Sequence, residues 1–409
     1  KRDLLLQDYL TDVTLNDLKN NTVYGSEISS TAKVAKMNMI LIGDGHSNIV
    51  KQDTLKNKVE NKYDIILSNI PFNLSVDETD LYYTNSKNGN IQCLEHIIHA
   101  LNDKPTARAF IIVPEGILDD PNLLSIRKRL IDNDLLKGIV SLPNGIFLPY
   151  TTAKTSILCF QGYNGTKTDK IFYYKIKNDG YTLTQRRRKI YGINDLDKYF
   201  DSDDLKYIDY NDIKSDNNYS FFYFKYEKEA PQGFIKLKEI IKEVKKKNIN
   251  NYETVTITNS ELYGIIGGEN FWGENFSSVT SKNNMNYKVV APNQIAYSPP
   301  RVNVGSLGIN LTEKPIAISP LYVVFEVINK NFLPEYVYLY LKSNKGLEYI
   351  RTRCYGTVRQ TLRYDDLKEI YIPNINIEKQ KEICNKAKQA KEKYKEYLRI
   401  KNELDNLVL

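Results

Sequence analysis

Histidine, methionine and tryptophan are nearly absent from this 409-residue chain, which has three His, three Met and one Trp. Scarce histidine removes the commonest ligands of a catalytic transition metal. His96 and His99 lie three apart on an expected helix, with no third ligand at suitable spacing, so no metal is expected. Cys93, Cys159, Cys354 and Cys384 are far apart and form no Cys-x-x-Cys, which excludes a zinc ribbon and a disulfide frame and reads as reduced thiols. No run reaches the roughly 18 apolar residues of a membrane span, and the start KRDLLLQDYL lacks the apolar stretch of a signal peptide. A cytoplasmic protein without a membrane partner is expected. A Pro-Asp…Glu-x-Lys metal cluster of the nuclease type is also missing, and no repeat of 20–50 residues is evident.

What is present begins with charge. Lys and Arg number 57 against 50 Asp and Glu, a net +7. The excess gathers at Arg186–Lys189 and at Lys242, Lys245, Lys246 and Lys247. Such clusters suit a polyanion; taken alone, a solvated charged face accounts for them at least as well.

The length implies more than one core. Residues 1–190 alternate strand-like runs (TVYGSEI, NIVKQD, YDIILSN, RAFIIVP, GIVSLP, KTSILCF) with helix-like ones (a Ser30-capped helix through MNMILIG, IQCLEHIIHAL, NLLSIRKRLIDN). Apolar strands alternating with amphipathic helices predict a mostly parallel sheet covered on both faces. Residues 191–232 are polar and tyrosine-rich without period, and read as a linker or irregular segment. Residues 233–375 carry short β-like runs broken by Gly, Pro and Asn, a β-rich domain of another architecture. Residues 376–409 are nearly free of Gly and Pro. There Ile383, Ala387, Ala390, Tyr394, Tyr397 and Leu404 fall mostly on a 4-3-4-3 spacing, a coiled-coil-like helix of roughly 45 Å.

Asn69-Ile70-Pro71-Phe72 directly follows the apolar strand YDIILS, where open α/β sheets bind ligands. The Asn69 side-chain oxygen and the Ile70 carbonyl can both accept from an exocyclic amine. Pro71 fixes the bend, and Phe72 offers a ring face for a base. Two acceptors raise lone-pair density on the amine nitrogen. A base within a duplex must be flipped out to reach them. The competing explanation is an ordinary strand-end turn, which Asn-x-Pro also favours.

In this setting the chain resembles the modification subunits of type I restriction–modification systems, adenine-N6 methyltransferases with an Asn-Pro-Pro-aromatic motif. The resemblance covers about residues 20–185. YGSEI (24–28) resembles the motif whose acid, here Glu27, holds the ribose of S-adenosylmethionine. QDTL (52–55) resembles the next, with Asp53 near the cofactor's adenine amine. IIVPEGIL, IRKRL, IVSLPNGIF, KTSILCF and NDGYTL…RR then recur in family order. The resemblance implies a Rossmann-like α/β methyltransferase domain with S-adenosylmethionine as methyl-donor substrate and duplex DNA as partner. It assigns catalysis to Asn69, Ile70, Pro71 and Phe72, and cofactor binding to Glu27, Asp53 and Asn69. Two departures stand out. Ile70 replaces the usual Pro, and no Gly-rich turn precedes the acidic strand, because Gly43-Asp44-Gly45 follows Glu27. The first strand and its turn are therefore expected to be missing here, along with the family's N-terminal helical domain.

The second half resembles a single target-recognition domain of type I specificity subunits, through FIKLKEI, YKVVAPNQIAYSPPRVNVGSLG, AISPLYVVFEV and GTVRQTLRYDDLKEIYIPNI. That resemblance implies a β-rich α+β reader followed by a spacer helix. Arg353, Arg359 and Arg363 become candidate DNA contacts, with surface charge or fold-supporting pairs as the alternative. Trp272 and Phe276 read as loop or core anchors. Self-association through the terminal helix, and a restriction subunit as partner, follow as expectations. The leading expectation is a DNA adenine-N6 methyltransferase with fused recognition. Its rivals are a non-catalytic recognition and assembly subunit with a degenerate methyltransferase fold, and a methyltransferase acting on RNA or a protein amide.

Overall fold

The structure, a computed structural model, describes residues 20–43, 48–72, 74–77, 84–192, 194–197, 205–227, 230–248, 250, 252–258, 263–267, 285–354 and 360–408. Its first unit opens with a crossover: β1 (Gly25–Glu27) and β2 (Ile49–Lys51) pair in parallel, joined through α1 (Thr31–Ile42). Ser30 stands at the N-cap of α1 as expected, but the side-chain bond there comes from its neighbour. Ser29 Oγ accepts from the Thr31 N–H at 3.1 Å, and the Ser30 side chain makes no cap bond.

Six further strands, β3 (Ile65–Asn69), β4 (Arg108–Pro114), β5 (Leu136–Ser141), β6 (Thr155–Gln161), β7 (Lys170–Lys175) and β8 (Leu205–Asp209), form a sheet in the order β3-β4-β6-β5-β7-β8. Three helices accompany them: α2 (Gly89–Ala100), α3 (Leu124–Asp132) and α4 (Tyr210–Ser215). Asn88 caps α2, its Oδ1 accepting from the Asn90 N–H at 2.9 Å. Ile91, Leu94 and Ile98 recur at helical spacing and are buried on the sheet. Gly138 in β5 answers a close approach, since a Cβ there would lie 2.2 Å from the Phe172 ring of β7.

The sheet is mixed, not mostly parallel. β3–β4 and β5–β7 are parallel, whereas β4–β6, β5–β6 and β7–β8 are antiparallel. The connection 142–154 carries no helix to make the crossover a parallel neighbour needs, so β6 runs back beside β5. The carboxyl ends of β3, β4, β5 and β7 thus share one edge.

Residues 191–232 are not merely a linker. β8 completes the sheet, and Tyr210, Ile213, Phe221, Phe222 and Phe224 join the core of the first unit. Arg127, fully buried on α3, ties the segment down: its Nε and Nη2 donate to the Asn218 carbonyl at 3.0 and 2.8 Å, and its Nη1 donates to Ile117 O and Asp120 O at 2.9 Å each. The aromatic residues that read as aperiodic supply short anchors rather than a periodic face.

The second unit is β-rich, as expected. Its strands are β9 (Phe234–Lys236), β10 (Ile241–Val244), β11 (Val255–Ile257), β12 (Ile265–Gly267), β13 (Lys288–Val290), β14 (Ile295–Tyr297), β15 (Leu307–Ile309), β16 (Ile316–Ile318), β17 (Val323–Val327) and β18 (Tyr371–Pro373). β10-β17-β14-β15 form an antiparallel sheet, and the others pair as β11–β12, β13–β16 and β9–β18. α5 (Pro334–Lys342), α6 (Asn344–Arg353) and α7 (Tyr364–Leu367) pack beside them, and α8 (Ile377–Val408) runs to the end of the described chain. Only the start of α8 is embedded. Gln380 is fully buried, donating to Asn331 O at 2.8 Å and accepting from the Leu333 N–H at 2.8 Å, whereas Tyr394, Tyr397 and Leu404 are exposed. Among the described residues no helix is long and apolar enough to cross a membrane.

Candidate functional site

Asn69 is the last residue of β3, at the shared carboxyl edge. It is exposed, and its side chain has no hydrogen bond among the described residues. Ile70 is buried, and its N–H donates to Ile112 O at 3.3 Å, extending the β3–β4 ladder. Burial of this side chain seats the tetrapeptide, so a bulky aliphatic residue is compatible with the position where the family carries Pro. Pro71 is exposed. Phe72 is half-buried and meets Phe147 edge to face, with ring centroids 6.5 Å apart at 77°. The site thus holds an unengaged carboxamide beside an aromatic pair.

Glu27 ends β1, and Asp53 lies two residues past the end of β2, its parallel partner. Gln52 N–H donates to Glu27 O at 3.1 Å, and Gln52 Nε2 donates to Ser26 Oγ at 3.0 Å. Glu27 Oε1 accepts from the Ser29 N–H at 2.7 Å, and hydrogen bonds from the Ser29 side chain and backbone hold its carboxyl below the ordinary range. Asp53 Oδ1 accepts from the Leu55 N–H at 3.0 Å. Burial, reinforced by the Asp53 charge, pushes the Cys93 thiol up to about 11. Carboxylates at the ends of two paired parallel strands suit the hydroxyls and amine of a nucleoside. Among the described residues no Gly-rich turn adjoins them. The outer edge of β3 also carries no strand there, and Ile65 and Leu67 are 59% and 74% exposed. Val34, Met37 and Leu41 form an exposed stripe on α1.

The candidate DNA arginines are employed otherwise. Arg353 is only 3% exposed, its guanidinium 4.7 Å from the Phe224 ring and 5.3 Å from that of Tyr349, with Nη2 donating to Glu369 O at 3.1 Å. A side chain so enclosed cannot meet a phosphate without unpacking the fold. Arg363 pairs with Asp119 of the first unit and with Asp366 at 3.0 Å. Asp119, fully buried, also takes Lys225 Nζ at 2.6 Å. Burial raises its carboxyl, but Lys225, a hydrogen bond from Ser220 and then Arg363 outweigh that and hold it below the usual range. Both arginines fasten the two units together. Arg359 lies outside the described residues, as do Trp272, Phe276 and the Asp44-Gly45 pair.

Two further features escaped the sequence. The loop after β5 brings Phe147 to Phe72, and only the family-like PNGIF string marked it. Between the units, a cavity of about 260 Å³ lies over the shared edge, lined among others by Lys154, Tyr173, Lys175, Tyr349 and Arg353. Its β7 wall stands four strand steps from β3, roughly 19 Å at about 4.8 Å each, and Lys154, just before β6, lies two steps away.

The profile of the N-6 DNA methylase family matches residues 4–260. The chain belongs to the N-6 DNA methylase family. The match runs past residue 190, through β8 and the phenylalanine cluster. Among curated proteins, the type I restriction enzyme MpnII methylase subunit of Mycoplasma pneumoniae is 28% identical over 183 residues, covering 38% of this chain and 33% of the relative. The EcoEI methylase subunit of Escherichia coli is 31% identical over 147 residues, covering 34% and 29%. This N-6 DNA methylase chain spans about a third of the length of these relatives. Among solved structures, the type I methyltransferase subunit of Streptococcus thermophilus matches with TM-score 0.41 and 19% identity, over 49% of this chain and 47% of that one.

Proposed function

We propose that this chain methylates the N6 amine of adenine in duplex DNA within a restriction–modification system, with S-adenosylmethionine as methyl donor. The observation that carries this is the free Asn69 carboxamide at the carboxyl end of β3, beside Phe72 and Phe147, in a chain of this family. The Asn69 oxygen and the Ile70 carbonyl accept the two amine protons, and Phe72 stacks the flipped base. The amine lone pair attacks the sulfonium methyl, the C–S bond breaks with its electrons left on sulfur, and the product ammonium releases a proton to water. Orientation supplies most of the effect, so no general base is required. Glu27 and Asp53 would hold the ribose and adenine of the donor. The test is Asn69→Ala in the protein with a complete cofactor cradle: loss of an acceptor that acts in the transition state should slow transfer by about 10²–10³. Undiminished N6-methyladenine formation would remove the assignment.

The open edge of β3 and the exposed stripe on α1 support a cofactor cradle completed by one more strand, which carries the turn that holds the methionine end. Calorimetry with S-adenosylmethionine separates this from a non-catalytic assembly subunit. The first predicts binding once that strand is supplied, and the second predicts none in either case. The β-rich unit is proposed as the DNA reader, and α8 as a self-association arm through its exposed Tyr394, Tyr397 and Leu404. A restriction subunit is proposed as partner of the assembled enzyme. Neither Arg353 nor Arg363 belongs to the proposed DNA contacts.

A further inference from the structure

We propose that residues 178–191 form the phosphate-binding wall of the target-nucleotide site, with Arg186, Arg188 and Lys189 as contacts to the DNA backbone and Arg187 as the positioning residue. This rests on the DNA-methylation function proposed above and assigns it a substrate contact. The segment folds back on itself. Tyr181 and Lys189 form an antiparallel bridge, Thr182 N–H donates to Arg188 O at 2.8 Å, and Ile190 N–H donates to Gly180 O at 2.7 Å. Hydroxyls close its tip: Thr182 Oγ1 accepts from the Arg188 N–H at 2.9 Å, and Thr184 Oγ1 donates to Arg186 O at 3.0 Å. Its base is pinned to the end of β7, because Asp195 accepts from the Lys177 and Asn178 N–H groups at 2.7 and 2.9 Å.

Arg187 differs from its neighbours. It pairs with Asp179, donates to Ile146 O, and lies 5.4 Å over the Tyr181 ring. Ile146 directly precedes Phe147, the residue packed against Phe72, so this one guanidinium ties the hairpin to the aromatic pair of the site. The Leu183 carbonyl closes on the same loop, 3.9 Å from where a Gly145 Cβ would stand. Asp179, the acid at hand, is taken by Arg187. Arg186, Arg188 and Lys189 are left exposed, with no ion pair among the described residues. Three cations in four residues repel one another. A sugar–phosphate backbone entering at Phe72 relieves that repulsion and holds the strand while its base is out of the stack. The chemistry is shared by any polynucleotide; the family and the adenine grip favour duplex DNA.

The test is duplex binding by fluorescence anisotropy across a salt series, with the full chain and with Arg186→Ala/Arg188→Ala/Lys189→Ala. Removing one cation from a phosphate lowers the slope of log K against log salt by about 0.9, so the triple variant should fall by about two to three units of slope with its melting temperature unchanged. Arg186→Lys/Arg188→Lys should keep the slope. Arg187→Ala should lower kcat by loosening Phe147, and should lower the slope as well because it frees Asp179 to pair with the neighbouring cations, whereas Arg187→Lys, which keeps a cation on Asp179, should restore the slope. An unchanged slope in the triple variant, while the full chain binds duplex DNA, overturns the hairpin assignment alone. A full chain that ignores duplex DNA or prefers RNA of equal length overturns the DNA function itself, and the hairpin's DNA role with it.

Discussion

Phe221→Ala tests whether the tyrosine-rich stretch after residue 190 is architecture or tether. Phe221 is 0% exposed within the core of the first unit, and its N–H donates to Leu118 O at 2.8 Å. Removing the ring forfeits the transfer energy of a buried phenyl, about 1.5–3 kcal/mol. The cavity left in the core of the first unit does not close fully, so the total should reach about 3–5 kcal/mol. For a unit of about 200 residues each kcal/mol moves Tm by about 2–4 °C, giving a drop of roughly 6–20 °C. The control is Tyr191→Ala, in the same stretch but 85% exposed, which should cost less than about 0.5 kcal/mol. Scanning calorimetry reads both variants. If Phe221→Ala melts no lower than Tyr191→Ala, the segment is a tether and its assignment to the sheet domain is wrong.

Asp119→Asn should destabilise the chain at pH 7 by about 2 kcal/mol, below the usual cost of breaking a buried pair because Lys225 and Arg363 keep some solvent. Asp119 has a depressed folded pKa, so its stabilisation is present above the unfolded value near 3.9 and is lost as pH falls through the lower folded value. Urea titrations should find the gap between wild type and variant shrinking below about pH 4; a constant gap refutes the charge account. Arg363→Ala combined with Asp119→Asn should be less harmful than the sum, with a coupling of about 0.5–3 kcal/mol, whereas strict additivity would show that the pair does not join the units. Tyr394→Lys/Leu404→Lys should leave the fold intact and lower any self-association seen by analytical ultracentrifugation. Full association by that variant would exclude α8 as the arm.

The strands of the first unit were legible because each is an apolar run between turn signals, and β3, β4 and β6 fall where the sequence put them. Strand direction was not legible. β6 and β5 look alike in composition, and only the helix-free connection between them decides that they run antiparallel. β8 and the phenylalanines after it were missed for a related reason: LKYID alternates weakly, and three Phe within four residues have no helical or strand period, yet Arg127 supplies the hydrogen bonds that let such a segment be buried. The site shows the same division. Asn69, Glu27 and Asp53 sit at strand ends, where one-dimensional order carries the information. Arg353 and Arg363 were candidates only because charge counts as surface until packing is known. Their partners, Phe224 and Asp119, lie over a hundred residues earlier in the chain, and no local pattern encodes so long a separation. The arginines at 186 and 188 follow the opposite course: their cluster is uninformative in sequence, and their proposed role rests on Arg187 holding the loop that carries Phe147. Packing thus separates Arg353 and Arg363, which fasten the two units together, from the exposed Arg186 and Arg188, which we propose meet a polyanion.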